Sequence, residues 1–423
     1  MWKTKLINDE SQSLKYMMNK FRIFLWTFAT VCLFSACEEE KASHWYDSEE
    51  LLSFDVSTLE DKEYEIKLSD LMESVEIVQL DSSTDEAYTK IWRIETSEHY
   101  IATLMANTPV KLFRKSDGKF IGNIGQIGQG PGEYSMVSEV TIDEKKERIY
   151  LTETFKNHAY AYDMKGNFLK EETIYFPQNV IWMEEYFNKD NVLVFILPYL
   201  AHETNPRFKE ADKNVCWVQD LEGNIIQNIP AGQYAMKVSI SSQIYTAHLY
   251  KESPIYSFSI RDVNMHYADT IHHYNIRENK MYPVYTTNMP SNKLSIVRSA
   301  ESPLHFYTCQ TKYKDGTEVN PWNVEHYKMI QVDKKTKEAR YVRIKNDLLG
   351  GIDVPVVTFL LQMKDDMLWL HYDNLLDLKE QLEEALETNT EMSEEVRKRV
   401  VSMKNSLTED DNDILVICKF KSR

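Results

Sequence analysis

Asp163-Met164-Lys165-Gly166-Asn167-Phe168-Leu169 and Asp220-Leu221-Glu222-Gly223-Asn224-Ile225-Ile226 are two copies of the same turn. Apolar residues flank each copy on both sides, and the glycine supplies the positive φ that a tight hairpin requires. Ser116-Asp117-Gly118-Lys119 is a looser third copy, and the spacing between successive glycines is 48 and then 57 residues. Four short strands that recur with a period of about 40–50 residues are typical of β-propeller blades.

The alternation of apolar and polar residues from about Tyr64 onward predicts an all-β, six-bladed propeller. The expected blades are residues 88–125, 135–175, 178–230, 238–275, 293–345 and 356–420. A strand region at Tyr64–Leu80 precedes them, and Ile414–Phe420 is a last strand without an obvious hairpin partner. We expect these N-terminal and C-terminal strands to share the last blade, because such a closure hides two sheet edges.

One segment has a helical rather than a strand period, and the sequence predicts a helical hairpin insert at about 374–407 in the last blade. Its two helices are expected at 374–387 and 393–407, from leucines and other apolar residues three or four positions apart. Ser393 before two glutamates is a suitable N-cap. The insert is either a partner-binding arm or a decoration packed on the last blade, and the single apolar stripe of each helix favours packing.

The N-terminus has the order of features of an export signal. A basic segment at 18–22 precedes the mainly apolar run Ile23–Leu33, and small residues then lead to Cys37. The apolar run is too short to span a bilayer. We therefore expect a signal peptide at 1–36, with the true start at Met17 or Met18, then a lipid-anchored linker at 37–60 and the propeller at 61–423.

Composition limits the class of function. The 423 residues are 43% hydrophobic and 27% charged, which excludes a disordered chain. The formal net charge of −17 argues against a nucleic-acid partner, because phosphate binding needs a clustered positive field. Residues 1–36 contain five basic and two acidic residues, so their removal makes the charge −20.

The sequence predicts neither a metal nor a cofactor. Cys216, Cys309 and Cys418 lie far apart in apolar contexts, which indicates buried free thiols rather than a disulfide framework. No HExxH or GxSxG motif is present in the sequence. His272 and His273 are expected at a solvated strand edge. Propeller enzymes gather their active-site residues from distant positions, so catalysis stays open, although we favour a non-catalytic protein.

The stretch Ile121–Tyr134, IGNIGQIGQGPGEY, resembles the signature loop of the Bacteroidetes six-bladed β-propeller lipoproteins. Those proteins are distant relatives of NHL-repeat propellers, whose pattern has Asp at Glu153 and Arg at His158. Leu33–Cys37 also resembles a lipobox, and three glutamates follow the cysteine. The resemblance implies lipidation at Cys37, a membrane anchor through that lipid, and an outer-membrane, cell-surface location. It implies almost nothing about activity.

Candidate ligand-binding residues come from the expected starts of inner strands and from one polar loop. They are Arg93, Glu133, Tyr134, Gln178 and Trp322. The glycine loop at 118–132 has no strand–loop–helix context for phosphate, so a blade-to-blade crossover is favoured over an anion site.

The first hypothesis is a surface lipoprotein whose propeller binds a glycan, a peptide or another envelope protein without catalysis. The second is a lyase or hydrolase with an active site in the central funnel, with a metal ion as an option. The third is a purely structural scaffold that uses the helical insert.

Overall fold

The computed structural model describes residues 51–153, 156–177, 183–187, 191–196, 213–235, 249–252, 255–259, 270–287, 295–313 and 324–422. The described chain begins with β1 (Leu52–Phe54), β2 (Glu63–Lys67), the one-turn helix α1 (Leu68–Leu71) and β3 (Met72–Gln79). Short 3-10 turns lie at Val56–Thr58, Lys170–Glu172, Gly232–Tyr234 and Asp347–Leu349.

Three antiparallel four-stranded sheets follow along the chain as blades 1, 2 and 3. Blade 1 consists of β4 (Arg93–Thr96), β5 (Tyr100–Leu104), β6 (Val110–Arg114) and β7 (Phe120–Ile124). A loop with the short strands β8 (Gln126–Ile127) and β9 (Glu133–Tyr134) leads to blade 2. Blade 2 consists of β10 (Val137–Asp143), β11 (Arg148–Glu153), β12 (His158–Asp163) and β13 (Ile174–Tyr175). Blade 3 consists of β14 (Met183–Phe187), β15 (Asn191–Ile196), β16 (Asn214–Asp220) and β17 (Ile225–Pro230).

Blades 4, 5 and 6 complete a six-bladed β-propeller. Blade 4 consists of β18 (Leu249–Glu252), β19 (Ile255–Ser259), β20 (Ile271–Asn275) and β21 (Lys280–Thr287). Blade 5 consists of β22 (Ser295–Glu301), β23 (His305–Tyr313), β24 (Val324–Asp333) and β25 (Ala339–Asn346), which also pairs with β26 (Ile352–Asp353). After the helix α2 (Val356–Leu361), blade 6 consists of β27 (Met363–Lys364), β28 (Met367–Tyr372), β29 (Ile414–Phe420) and finally β3.

The predicted range of the fourth blade was wrong. Its four strands run from residue 249 to 287 rather than from 238 to 275. The missed strand is the outermost, β21, which contains Pro283. Proline cannot donate to a ladder and is tolerated only at an edge or a bulge. Pro283 pairs with His272 next to such an irregularity, so the strand forms although its sequence argues against one.

The N-terminal segment runs along the outside of the ring. β1 pairs in parallel with the outer strand β21 of blade 4, and β2 pairs in parallel with the outer strand β25 of blade 5. β3 then pairs antiparallel with β29, so blade 6 combines strands from the two ends of the described chain. The outer edges of three consecutive blades are thus covered by one segment, part of which was expected to be a linker.

Two helices lie between β28 and β29. α3 (Leu375–Thr388) is capped by the Asn374 side chain, and α4 (Glu394–Ser406) is capped by Ser393. The apolar stripe of α3 is buried in the same core cluster as blade 6. Among the described residues, no helix combines the length and the apolarity needed to cross a bilayer.

The turn after the helices ties blade 6 to blade 1. Asn412 is fully buried and accepts a hydrogen bond from the backbone N–H of Thr89 at 2.7 Å, 323 positions away in the sequence. Its amide donates to the carbonyl oxygens of Asp81 and Ala87. Asp413, also fully buried, accepts from the backbone N–H of Ile91 at 2.9 Å. Side chains of the stretch before β29 therefore form hydrogen bonds with backbone N–H and C=O groups of the connection between β3 and β4.

The repeated glycines stand where the backbones of two blades meet. Gly118 and Gly166 have φ of 68° and 81°. A Cβ at Gly118 would overlap the Gln79 carbonyl oxygen of β3, and a Cβ at Gly166 would overlap the Asn123 carbonyl oxygen of β7. In both cases the turn between the last two strands of one blade touches the outer strand of the blade before it. Gly223 repeats the arrangement against Tyr175.

We predict that Gly166→Ala lowers the free energy of unfolding by about 2–4 kcal/mol, because it combines a left-handed backbone with overpacking against Asn123. Gly122→Ala is the matched control, since nothing lies within 4 Å of a Cβ there and its φ is not positive. It should change the free energy by less than about 1 kcal/mol. Denaturant unfolding measures both, and equal effects of the two substitutions would contradict this account of the repeat.

Candidate functional site

Four charged side chains from the innermost strands of blades 6, 1 and 2 come together near the ring axis. Arg93 and Glu95 lie on β4, Glu139 lies on β10 and Lys364 ends β27. We call these four residues the channel cluster. The strands β4, β10 and β27 are each the first strand of their blade, so the order of the blades brings residues far apart in the chain to one place.

The two cations of the channel cluster share its carboxylates. Arg93 Nη1 forms a short ion pair with Glu139 Oε2. Lys364 Nζ lies 3.2 Å from Glu139 Oε1 and 3.6 Å from Glu95 Oε2, so it bridges two blades. Glu139 is only 4% exposed. Arg93, Glu95 and Lys364 remain partly exposed, so the cluster is not sealed from solvent.

Glu95 is the unusual member of the channel cluster. Its Oε2 is buried and faces Lys364 Nζ at 3.6 Å, which is an ion pair beyond ordinary hydrogen-bond distance. Burial, opposed by Lys364 and assisted by the carboxylates of Glu139 and Asp365, raises the pKa of Glu95 to about 7. The protonated form of this carboxyl is therefore stabilised relative to that of an exposed glutamate.

Such a cluster is expensive to keep inside a protein. Burying charges costs several kcal/mol per ion unless geometry and hydrogen bonds compensate, and apolar side chains of similar size often stabilise a fold better. Carboxyl groups with strongly raised pKa values are also concentrated at functional sites. The channel cluster is thus the best candidate ligand site in the described part of the chain.

The glycine loop is a crossover between blades 1 and 2. Glu133 and Tyr134 form β9 within this loop, and the inner strand begins three residues later at Val137. The Glu133 carboxylate accepts from the Gly130 backbone N–H at 2.8 Å. The Tyr134 hydroxyl donates to the Ile124 carbonyl at 2.6 Å and accepts from the Val110 N–H. Both side chains therefore brace the crossover, and Tyr134 is 1% exposed.

The structure distributes the predicted site residues over different surroundings. Arg93 belongs to the channel cluster, whereas Glu133 and Tyr134 lie in the crossover. Gln178, Trp322 and Cys37 lie outside the described residues, so their roles stay predictions. The expected thiols Cys216, Cys309 and Cys418 are buried and free.

Sequence reasoning missed Glu95, Glu139 and Lys364. One signal was available, because Arg93-Ile94-Glu95 puts two opposite charges on one face of an expected inner strand. Their partners on β10 and β27 carry no motif, and only the closed ring brings them close. The pairing therefore could not be read from spacing in the sequence.

The expectation for His273 was wrong. His273 is buried, and its Nε2 lies 2.9 Å from Glu301 Oε2, while Lys334 Nζ donates to Glu301 Oε1 at 2.5 Å. Burial raises the pKa of Glu301, but the interactions with Lys334 and His273 outweigh it and hold the pKa well below its usual range. This buried group joins blade 4 to blade 5. His273 therefore packs between two blades and does not lie at a solvated strand edge.

One set of metal-ligating side chains lies on a turn surface of blades 1 and 2. Glu98, His99 and Glu144 bring one ligand atom each within reach of a single ion. His99 is hydrogen-bonded to Glu144, which raises the pKa of the histidine. Glu98 and His99 are 83% and 66% exposed, an arrangement that is ordinary for solvated ion pairs.

We predict that Glu139→Gln lowers the pKa of Glu95 relative to the unmodified protein, because it removes a carboxylate that raises that pKa and that competes with Glu95 for Lys364. Carboxyl-detected NMR titration measures this, with Glu95→Gln assigning the signal. Glu144→Gln, a matched change on the same blade, should leave the Glu95 pKa unchanged. A Glu95 pKa in Glu139→Gln that equals or exceeds that of the unmodified protein would contradict the geometry of the cluster.

Known proteins share this architecture. A protein from Bacteroides fragilis NCTC 9343, described as exported, has a solved structure that is 17% identical in sequence to this chain. The two structures align with a TM-score of 0.56 over 88% of this chain and 100% of that protein. A DUF4221-family member from Bacteroides vulgatus ATCC 8482 is 12% identical, with a TM-score of 0.42 over 83% of this chain and 97% of its own. At these identities the first likeness shows the fold alone, and the second adds no argument. No curated protein matches the chain.

The family is established by the sequence itself. Residues 51–419 match the family described as "Domain of unknown function (DUF4934)", which covers all six blades. The resemblance to a Bacteroidetes propeller family is confirmed, while the relationship to NHL repeats stays a prediction. The chain belongs to the DUF4934 family, a Bacteroidetes family of six-bladed β-propellers of unknown function.

Proposed function

We propose that this protein is an exported lipoprotein whose propeller binds a small polar ligand, or a polar group of a partner, at the channel cluster without catalysing a reaction. The observation that carries the proposal is the cluster of partly buried Arg93 and Lys364 with buried Glu139, next to the incompletely hydrogen-bonded carboxyl of Glu95. A ligand with its own hydrogen-bond donors and acceptors would offset part of the desolvation free energy of these charges.

Two features support export and lipidation. The structural relative from Bacteroides fragilis is described as exported. The N-terminal basic, apolar and small-residue order leads to Cys37, as in bacterial lipoproteins. The proposal places the anchor in the outer membrane, with a glycan, a peptide or another envelope protein as the partner.

A screen of glycans and short peptides against the purified protein tests binding. We predict that Arg93→Ala weakens any compound bound in the channel at least ten-fold, or about 1.4 kcal/mol, because it removes one of the two cations of the cluster. Arg114→Ala is the matched control, since Arg114 is about half exposed and pairs only locally with Asp117. Compounds that bind both variants equally well would place the ligand site elsewhere.

An enzyme working in the same channel is the second candidate. The specific observation in its favour is the pKa of Glu95, about 7, which suits a general acid or base at neutral pH. Mass spectrometry of each bound compound after prolonged incubation separates the two candidates. Recovery of intact compound supports binding alone, whereas a cleaved product that disappears with Glu95→Gln supports catalysis.

The lipid anchor has its own test. We predict that Cys37→Ser releases the protein from the membrane fraction, because one diacylated cysteine is the whole proposed attachment. Cys32→Ser, inside the same predicted signal, should leave the protein in the membrane fraction. Fractionation of expressing cells with immunoblotting measures both variants. Unchanged membrane retention of Cys37→Ser would refute the anchor.

A further inference from the structure

A groove at the outer side of blade 5 shares no residue with the channel cluster. It lies between β2, the end of β25 and the helical insert, and its volume is about 650 Å³. Glu65 and Lys67 of β2 line one side, and Glu384 of α3 and Glu391 of the following turn line the other. We infer that this groove binds an extended, basic segment of a partner protein, which pairs with the free edge of β2.

The strand β2 offers an unpaired backbone edge. It pairs in parallel with β25, and no other described strand pairs with its opposite edge. In a parallel pair each strand uses the N–H and C=O groups of alternate residues for its neighbour. The other backbone groups of β2 therefore point away from the sheet, and four of its five side chains are exposed. Such an edge can accept a strand from another chain.

The register shows which side chains would flank the added strand. Lys67 is paired with Lys345 of β25, and Lys345 is paired with Asp353 of β26. Glu65, two positions before Lys67, shares the same face of the sheet. All four residues line the groove, so the groove lies over this face. Alternate side chains of a strand added beside β2 would point to the same face.

The charges of the groove favour a basic strand. Its lining contains three exposed carboxylates that form no ion pair within the described part of the chain: Glu65, Glu384 and Glu391. Lys67 is the single cation of the lining that is unpaired there, because Lys345 Nζ lies 2.8 Å from Asp353. The remaining carboxylate, Asp347, accepts two hydrogen bonds from Ser69.

Those carboxylates also give the edge its selectivity. Charged side chains on an edge strand discourage pairing with apolar strands. Lysine or arginine at alternate positions of an added strand would instead meet opposite charges on the groove, and opposite charges on neighbouring strands stabilise a sheet. The edge therefore discriminates between partners by their charge.

The wall opposite β2 is fixed without a partner. Asn389, at the end of α3, donates to the Gly350 carbonyl oxygen at 2.9 Å. Arg397 of α4 donates to the carbonyl oxygens of Leu386 and Asn389. These bonds hold the helical insert against the loop after β25. A groove with fixed walls loses less conformational entropy on binding.

A second copy of the chain fits this edge less well. Two β2 strands that pair antiparallel around their centres would bring Glu65 opposite the same residue of the other copy. Like charges directly opposite each other destabilise a sheet. We therefore assign the edge to a different protein with basic side chains.

Fluorescence anisotropy with three labelled seven-residue peptides tests the inference. The first alternates lysine with valine, the second is the same peptide with every backbone nitrogen methylated, and the third has glutamate in place of lysine. The first should bind the purified protein at least about ten-fold more tightly than either of the others, because only it combines positive charge with backbone donors. Equal binding of the first and second, or of the first and third, would overturn the inference.

Charge-matched variants locate the peptide. Glu65→Lys and Glu384→Lys should each weaken the lysine peptide at least about ten-fold at 0.15 M salt, where charges about 8 Å apart or more are largely screened. Glu171→Lys makes the same change in net charge on an exposed turn of blade 2, and it should change the affinity less than about two-fold. Thermal unfolding checks that each variant folds, and the first two lie on separate elements, so either one suffices. Equal weakening by Glu171→Lys would overturn the inference.

Light scattering of the protein without peptide tests the other occupant. We expect β2 to leave the protein monomeric, and a dimer that Glu65→Lys dissociates would make a second copy the occupant and overturn the inference. Arg93→Ala, in the channel cluster, should leave the affinity for the lysine peptide unchanged. The result at this groove is therefore independent of the result at the channel cluster.

Discussion

The contact between the backbone of one blade and the backbone of the next is the constraint on which this propeller depends. At Gly118 and Gly166 the last hairpin of a blade lies directly on a carbonyl oxygen of the preceding outer strand. Hydrogen bonds follow the same contacts, from the Asp81 N–H to the Gly118 carbonyl and from the Gly125 N–H to the Gly166 carbonyl. A side chain at either glycine would push two blades apart, so the hairpin residue helps to set the spacing of the ring.

That spacing also decides what lies near the axis. Apolar clusters fill the wedges between neighbouring blades, such as the one that joins Leu112 of blade 1 to Tyr162 of blade 2. The innermost strands are then held close enough for Lys364 of blade 6 to reach carboxylates on blades 1 and 2. Structural rigidity and the candidate site thus have one origin, because a looser ring would leave those charges unpaired.

The fold could be predicted because its determinants are local and repeated. The turn at 163–169, its copy at 220–226 and the alternation of apolar residues each carry strand and hairpin chemistry within a few residues. β21 was missed because Pro283 argues against a strand when its edge position is unknown. The parallel pairing of β1 with blade 4 and of β2 with blade 5 leaves no periodic trace, because those short strands have mostly exposed side chains.

The candidate site was only partly predictable, for a different reason. Arg93 could be suspected from its place at the start of an inner strand. Glu139 and Lys364 belong to the site only because of long-range contacts. Glu139 contacts Arg93 across 46 positions of the sequence, and Lys364 contacts Glu139 across 225. The raised pKa of Glu95 likewise comes from burial and neighbours, which one sequence does not reveal.

A crystal structure of the protein soaked with the tightest compound from the glycan and peptide screen tests the central claim most directly. The account predicts density for the compound within hydrogen-bond distance of the channel cluster, with the Arg93–Glu139 pair intact. Density for the compound only at sites remote from the four residues of the channel cluster would contradict it.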